Sequence, residues 1–394
     1  MAPLALPASD RFLAGMETSG RRLVLVAAGG GSTAISHLAT TPGGSEILLE
    51  ATVASARPAV NGLLGGPQES YCSSRTARRL AVAAWERASR LMQAEGVEPA
   101  AASCRAVGVA VTAGLATRRP KRGDHRAIVA VQTRQATRVA ELVLEKAARS
   151  RAEEEMISAW LVLAETAAAC GVTSCATDPP LRDADRIHRD CHEPPQEWQE
   201  LFAGERIAVA AGGGAAAVPA EGGLVFPGSF DPLHEGHLLM ARIAEEIAER
   251  PLAYEISIRN VDKPPLDFIE LRNRAAQFAD RPLWFTRAAT FLEKLDVFPT
   301  TTFVLGADTY ARLPDPRYYG GLATAATRAV KAIASRSGGL IVFGRLVNGV
   351  FHDAASIEVP QVLRDVTYFV AQREFRLDLS STDLRRQASA GAEG

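Results

Sequence analysis

The stretch 223–237, GLVFPGSFDPLHEGH, constrains this chain more than any other. A short apolar run, Leu224 to Phe226, enters a turn broken by Pro227, Gly228 and Pro232. Two histidines three positions apart, His234 and His237, then open an apolar helical pattern. A strand, a glycine loop and a helix start in that order leave the first backbone N–H groups of the helix without partners inside it. The positive end of the helix dipole lies at the same point, so the stretch predicts a seat for a phosphate-sized anion. Imidazoles there add donors whose charge is decided near neutral pH. We read the stretch as a nucleotide triphosphate site.

At 394 residues the chain is long for one core, and two domains are expected. The pattern divides it at 1–175, an α/β sandwich, 176–221, a linker, and 222–394, a Rossmann-like doubly wound parallel sheet. In the first part an apolar strand at 21–28 runs into the glycine loop Gly29-Gly30-Gly31-Ser32-Thr33. Ser73 or Ser74 caps a helix with Leu80, Ala84, Ala88 and Leu91 as its inward stripe. Residues 106–112 and 127–132 read as buried strands, and 133–169 as one long helix. Pro179-Pro180, Pro194-Pro195 and the Gly/Ala run from Gly212 break the pattern, so the linker is expected to hold one short helix near 195–203.

Lys and Arg number 44 against 45 Asp and Glu, a net charge of -1, which points to no nucleic-acid or anionic-membrane partner. No apolar run approaches the ~20 residues that span a bilayer. Five cysteines without a secretory leader suggest a reduced, cytoplasmic setting, with organellar targeting left open. Cys170, Cys175, Cys191 and His192 lie near one another but lack paired C-x₂-C spacing, so no metal site is expected from them. The oligomeric state, homo-oligomer included, is open at this point.

In the second part, five segments fall at the carboxyl ends of expected strands, where an open α/β sheet takes its ligand. They are the loop from Gly228 to His237, the run Arg259 to Lys263, Gly306-Ala307-Asp308-Thr309, Gly344-Arg345, and the segment Leu379 to Arg385. Lys263 and Arg345 are further candidates for phosphate contact. Trp284, near a strand end, is a candidate for stacking on a second substrate's ring.

GSFDPLHEGH resembles the GxFDPxHxGH signature of the HxGH nucleotidyltransferase superfamily. LSSTDLRR is similar to the ISSTxLR motif of its nicotinate or nicotinamide mononucleotide adenylyltransferase branch, and GADTY resembles that branch's GAD segment. The resemblance runs from Gly223 onward. It implies transfer of AMP from ATP to a mononucleotide phosphate with release of pyrophosphate. It implies that His234, His237 and Arg385 act on the ATP phosphates. Gly228, Ser229, Phe230, Asp231 and Gly236 shape the nucleotide loop, Gly306 and Asp308 serve the adenosine moiety, and Ser381 and Thr382 hold the triphosphate. Mg²⁺, held mainly by phosphates and water, is the implied cofactor. Phosphopantetheine adenylyltransferase, a cytidylyltransferase, and a non-catalytic nucleotide-binding scaffold stand as alternatives.

The first part is similar to the C-terminal domain of the CinA family, through LATTPGGSEILLEATVASA, the LLG from Leu63 and the VTAG from Val111. Active members hydrolyse the amide of nicotinamide mononucleotide. Counting back from Pro42, that family's ESCTGG loop falls on residues 27–32, with Ala28 at its serine. Ser55 and Val60 stand at its tyrosine and lysine. Amide hydrolysis needs a nucleophile or base and a group to activate it, so this domain is expected to lack deamidase activity. Its glycine loop, with Ser32 and Thr33, is left as a weak phosphate seat or a helix cap.

Overall fold

The computed structural model describes residues 6, 9–119, 122–172, 181–212, 222–259, 265–279, 281–347, 350–352 and 354–371. The chain forms two α/β units, one made of residues 1–199 with 262–270, the other of 200–261 with 271–394.

The first unit carries strands β1 (Arg22–Ala28), β2 (Leu48–Val53), β3 (Ala106–Gly114), β4 (His125–Gln132), β5 (Thr137–Leu144) and β6 (Arg186–His192) in the order β2-β1-β3-β4-β5-β6. β1 pairs in parallel with β2 and β3, and the remaining pairs are antiparallel. Helices α1 (Thr33–Thr40), α2 (Ser74–Ala94) and α3 (Arg151–Ala169) cover the sheet. Leu23, Leu25 and Ala27 share one core cluster with Val107, Val109, Val111 and the α3 residues Ile157 and Leu161. The intervening side of β3 meets α2 so closely that a Cβ on Gly108 would lie 2.0 Å from the Ala81 carbonyl oxygen. Only glycine permits that approach. Ser73 caps α2 as expected, its hydroxyl accepting from Thr76 N–H at 3.2 Å.

Two segments of this unit differ from the sequence expectation. The long helix at 133–169 is instead a hairpin strand, β5, followed by α3. Thr133 N–H donates to Ala136 O at 2.9 Å and closes the turn between β4 and β5. The run TRVAELVL is short, β-branched and buried beside β4, and a run of that length fits either period until its partner strand is known. The stretch at 186–192, expected inside a linker, is the edge strand β6. Its polar composition hid it, because an edge strand leaves one side to solvent. The short helix expected beside it forms at Gln196–Ala203.

The second unit carries β7 (Ala208–Ala210), β8 (Leu224–Pro227), β9 (Leu252–Ser257), β10 (Leu283–Thr286), β11 (Thr302–Gly306), β12 (Gly339–Phe343), a hairpin of β13 (Arg345–Val347) and β14 (Val350–His352), and β15 (Thr367–Val370). The main sheet runs β15-β12-β11-β8-β9-β10-β7, parallel except for β10 with β7. Chain order runs outward from β8 in both directions, through β9 and β10 on one side and β11, β12 and β15 on the other. This is a doubly wound sheet whose order reverses between β8 and β11, the place where such sheets open a ligand crevice. Its helices include α4 (Glu235–Ala248), α5 (Phe268–Ala275), α6 (Phe291–Val297), α7 (Ala307–Arg312) and α8 (Ala323–Arg336). Asp267 caps α5, its carboxylate accepting from Glu270 N–H at 3.0 Å. Among the described residues no helix is long and apolar enough to cross a membrane.

Candidate active site

The loop between β8 and α4 lies at the carboxyl end of a strand flanking the reversal. Its first residue pairs back to the sheet: Gly228 N–H donates to Glu255 O at 2.9 Å. Phe230 turns inward, 1% exposed, at a left-handed φ of 42°. That conformation costs about 1–3 kcal/mol for a non-glycine residue and is held only by strong surrounding contacts. The contacts are edge-to-face rings: Phe226 at 5.2 Å, Tyr254 at 5.4 Å and Phe278 at 5.4 Å. A Cβ on residue 228 would lie 2.5 Å from the Phe230 ring, which is why glycine stands there.

His234 and His237 begin α4 and cap it reciprocally. His234 Nδ1 accepts from Gly236 N–H at 3.1 Å, and His237 Nδ1 accepts from His234 N–H at 3.3 Å. The rings stack at 3.8 Å with 25° between their planes. A backbone N–H only donates, so neither Nδ1 bears a proton, and each neutral ring carries its proton on Nε2. Burial lowers the His234 pKa, and burial followed by the neighbouring His234 pushes His237 down to about 3. The Phe230 ring, 4.9 Å away, and the Phe226 ring, 6.0 Å away, supply part of that apolar cover. The pair is therefore two adjacent neutral N–H donors at a helix start, an arrangement suited to an anion.

The other expected residues are distributed as follows. Gly306 ends β11, the strand across the reversal from β8, and Asp308 is exposed in the first turn of α7. Both thus belong to the same end of the sheet as the histidine loop. Arg345 opens β13, its side chain outside the described part. Lys263, Ser381, Thr382 and Arg385 lie outside the described residues. Trp284 is not a stacking partner for a substrate: it is 6% exposed, packs against Phe298 and belongs to the core cluster under the sheet. On a central strand a large ring is drawn into the core.

Sequence reasoning missed the residues that fix the loop from behind. Arg274 Nη1 donates to Ser229 O at 2.8 Å and its Nη2 lies 3.5 Å from the Asp231 carboxylate. Gln277 Oε1 accepts from Leu233 N–H at 2.8 Å. Beneath them, Glu255 in β9 is 1% exposed and takes Lys294 Nζ at 2.7 and 2.8 Å and Thr286 Oγ1 at 2.5 Å. An acid inside the apolar run LAYEIS was a legible signal that a buried cation must meet it.

In the first unit the glycine loop is already filled. The Glu155 carboxylate from α3 accepts from Gly31 N–H at 2.9 Å, Thr33 N–H at 3.0 Å and Ser32 Oγ at 3.0 Å. Burial alone would raise its pKa, but the hydrogen bonds from Thr33, Gly31 and Ser32 outweigh it and hold the group below the ordinary carboxylate range. Next to it, Glu154 is fully buried, with His125 Nδ1 at 2.6 Å and Ala116 N–H at 2.6 Å. The expected weak phosphate seat is thus occupied by the chain's own carboxylate. Burial pushes the Cys170 thiol up to about 11, and among the described residues no three metal-ligating side chains gather.

A doubly wound sheet with a histidine-capped helix start beside its reversal has the layout of an open α/β unit that takes its ligand at the carboxyl ends of its strands. Residues 225–387 match the cytidylyltransferase-like family model, and this part of the chain is similar to that family of nucleotidyltransferase domains. Among solved structures the chain is similar to a competence-damaged protein (CinA) superfamily protein from Escherichia coli. That match has 16% identity, covers 40% of this chain and 87% of that one, and has a TM-score of 0.32. It is also similar to the competence/damage inducible protein CihA from Agrobacterium tumefaciens, with 17% identity, coverage of 43% and 99%, and a TM-score of 0.32. No curated protein matches the chain.

Proposed function

We propose that the second unit transfers AMP from ATP to a mononucleotide phosphate, with nicotinamide or nicotinate mononucleotide as acceptor and NAD or its deamido form as product. The observation that carries this reading is the histidine pair, two neutral Nε2–H donors at the start of α4 beside the sheet reversal. An acceptor phosphate oxygen forms the new bond to the α-phosphorus of ATP. The bond from that phosphorus to the bridging oxygen breaks, and pyrophosphate leaves with the electron pair. No enzyme nucleophile is needed, so the protein's work is alignment and stabilisation of charge on the phosphate oxygens. His234 and His237 donate to those oxygens without changing protonation. Gly236, in the first turn of α4, adds to the helix start that faces the anion. Asp308 at the start of α7 serves the adenosine moiety. Lys263, Arg345, Ser381, Thr382 and Arg385 complete the triphosphate clamp in this reading.

Mg²⁺ fits the reading as a companion of the triphosphate. The histidine loop offers hydrogen-bond donors to an anion, and phosphate oxygens and water would hold the ion in this reading. The choice of a pyridine mononucleotide rests on the likeness of LSSTDLRR and GADTY to the dinucleotide branch. The test is incubation of the full-length protein with ATP, Mg²⁺ and each mononucleotide. Pyrophosphate release with formation of a dinucleotide is the expected result. No release with either acceptor removes the proposal, and release only with phosphopantetheine or only from CTP moves it to another branch of the fold.

A further inference from the structure

Arg274 and Gln277 stand three residues apart, at the last turn of α5 and just beyond it, and so share one face. That face meets the histidine loop at alternate residues, through the Ser229 carbonyl, the Asp231 carboxylate and the Leu233 N–H. Arg274 is 5% exposed. A guanidinium buried to that degree is fixed in orientation, and its planar fork has no equivalent in lysine. Between the anchored positions Phe230 adopts its left-handed φ, with Phe278 from the same turn against its ring. The Leu233 anchor is the last before His234. The entry into α4, and with it the placement of both imidazoles, is therefore set from the Arg274 face as well as from β8.

We propose that Arg274, supported by Gln277, is a positioning residue of the nucleotidyl-transfer site. It holds the loop in the form that keeps both histidine Nδ1 atoms on the backbone and leaves both Nε2–H groups for phosphate. The kinetic part of this assignment rests on the AMP-transfer reading; the ring geometry does not.

Full-length protein is compared with Arg274→Met, Arg274→Lys and Gln277→Ala in two measurements. Long-range ¹H–¹⁵N spectra of the histidine rings report which nitrogen carries the proton. The wild type shows Nε2–H in both rings, and Arg274→Met shows a mixture of tautomers. In steady-state pyrophosphate release, Arg274→Met loses about a hundredfold in kcat with a much smaller change in KM for ATP, as expected for misplacement at the reacting centre. Arg274→Lys restores the charge without the fork and recovers only part of the loss. A folded Arg274→Met with wild-type ring spectra, or with wild-type kcat, overturns the assignment. Should that variant not fold, Gln277→Ala carries the same readouts, and unmoved ring spectra in it overturn the proposal. Wild-type protein that releases no pyrophosphate with any acceptor removes the AMP-transfer reading and leaves the ring spectra to decide the positioning role.

Discussion

Two strand–glycine loop–helix starts in this chain solve one backbone problem in opposite ways. After β1, the donors at Gly31 and Thr33 are satisfied by a carboxylate that α3 supplies. After β8, the donors at His234 and Gly236 are satisfied by neutral imidazoles on the same helix. Each solution avoids unpaired backbone N–H groups. The electrostatic outcomes differ. Glu155 brings a full negative charge to its loop, so the anion is covalently part of the protein. The histidines bring none and add their own N–H groups to the positive end of α4, where the one acid of the first turn, Glu235, is exposed to solvent. A glycine loop before a helix thus does not by itself make a phosphate seat; the charge of whatever caps the loop bears on it.

The largest expected effect breaks the second loop. His237→Ala removes a donor and opens the aromatic box around Phe230, and we expect turnover to fall by about 10²–10³-fold, the range for loss of one oxyanion donor. Pyrophosphate release, read beside an unfolding curve to verify the fold, measures it. Turnover equal to wild type would end the comparison as a functional one. The next effect breaks the first loop. Glu155→Ala strands two backbone donors and two hydroxyls, and we expect a loss of about 1–3 kcal/mol in denaturant unfolding. The same variant should let inorganic phosphate shift the Gly31 and Thr33 amide signals, which stay still in wild type. Phosphate shifts in wild type would show that the loop is not closed. Ammonia release from nicotinamide mononucleotide is expected from neither protein.

The sequence announced one of these loops better than the other. In GSFDPLHEGH the capping groups are contiguous with the loop, so chemistry and position were read together. Glu155 lies more than a hundred residues from Gly31, on a helix whose preceding strand, β5, was itself read as helix, and no local pattern ties the two. Arg274 and Gln277 were hidden for the same reason: their partners are backbone groups of a distant loop, which leave no trace in residue type. Trp284 shows the reverse case. A ring at a strand end is a candidate for stacking but is more often core, and here the core holds it, because apolar burial outweighs any single contact a ring offers at a rim. Local order, strand sequence and cap residues were legible where the interaction is between neighbours in the chain. The plug and the clamp were not, since each is a long-range pairing of one polar side chain with main-chain groups.

The smallest expected effect is a difference in how the two loops respond to acid. His237 has a folded pKa of about 3 against an unfolded value near 6.5, so its contribution to stability is full above pH 6.5 and declines as pH falls toward 3. Glu155 is also held below its ordinary value, 4.5, so the stability it confers is present above that pH and is lost only as pH falls through its lower folded pKa. Between pH 6.5 and 4.5, then, acid weakens the histidine loop and leaves the carboxylate loop intact. Hydrogen exchange at His234, whose N–H the His237 ring accepts, and at Gly31 across that window measures each loop separately. The His234 amide should lose protection first, and His237→Gln, which cannot take up a proton, should flatten its response while leaving Gly31 unchanged. Equal loss at both amides would mean that the loops share one opening event and that the charge of the cap does not govern how each gives way.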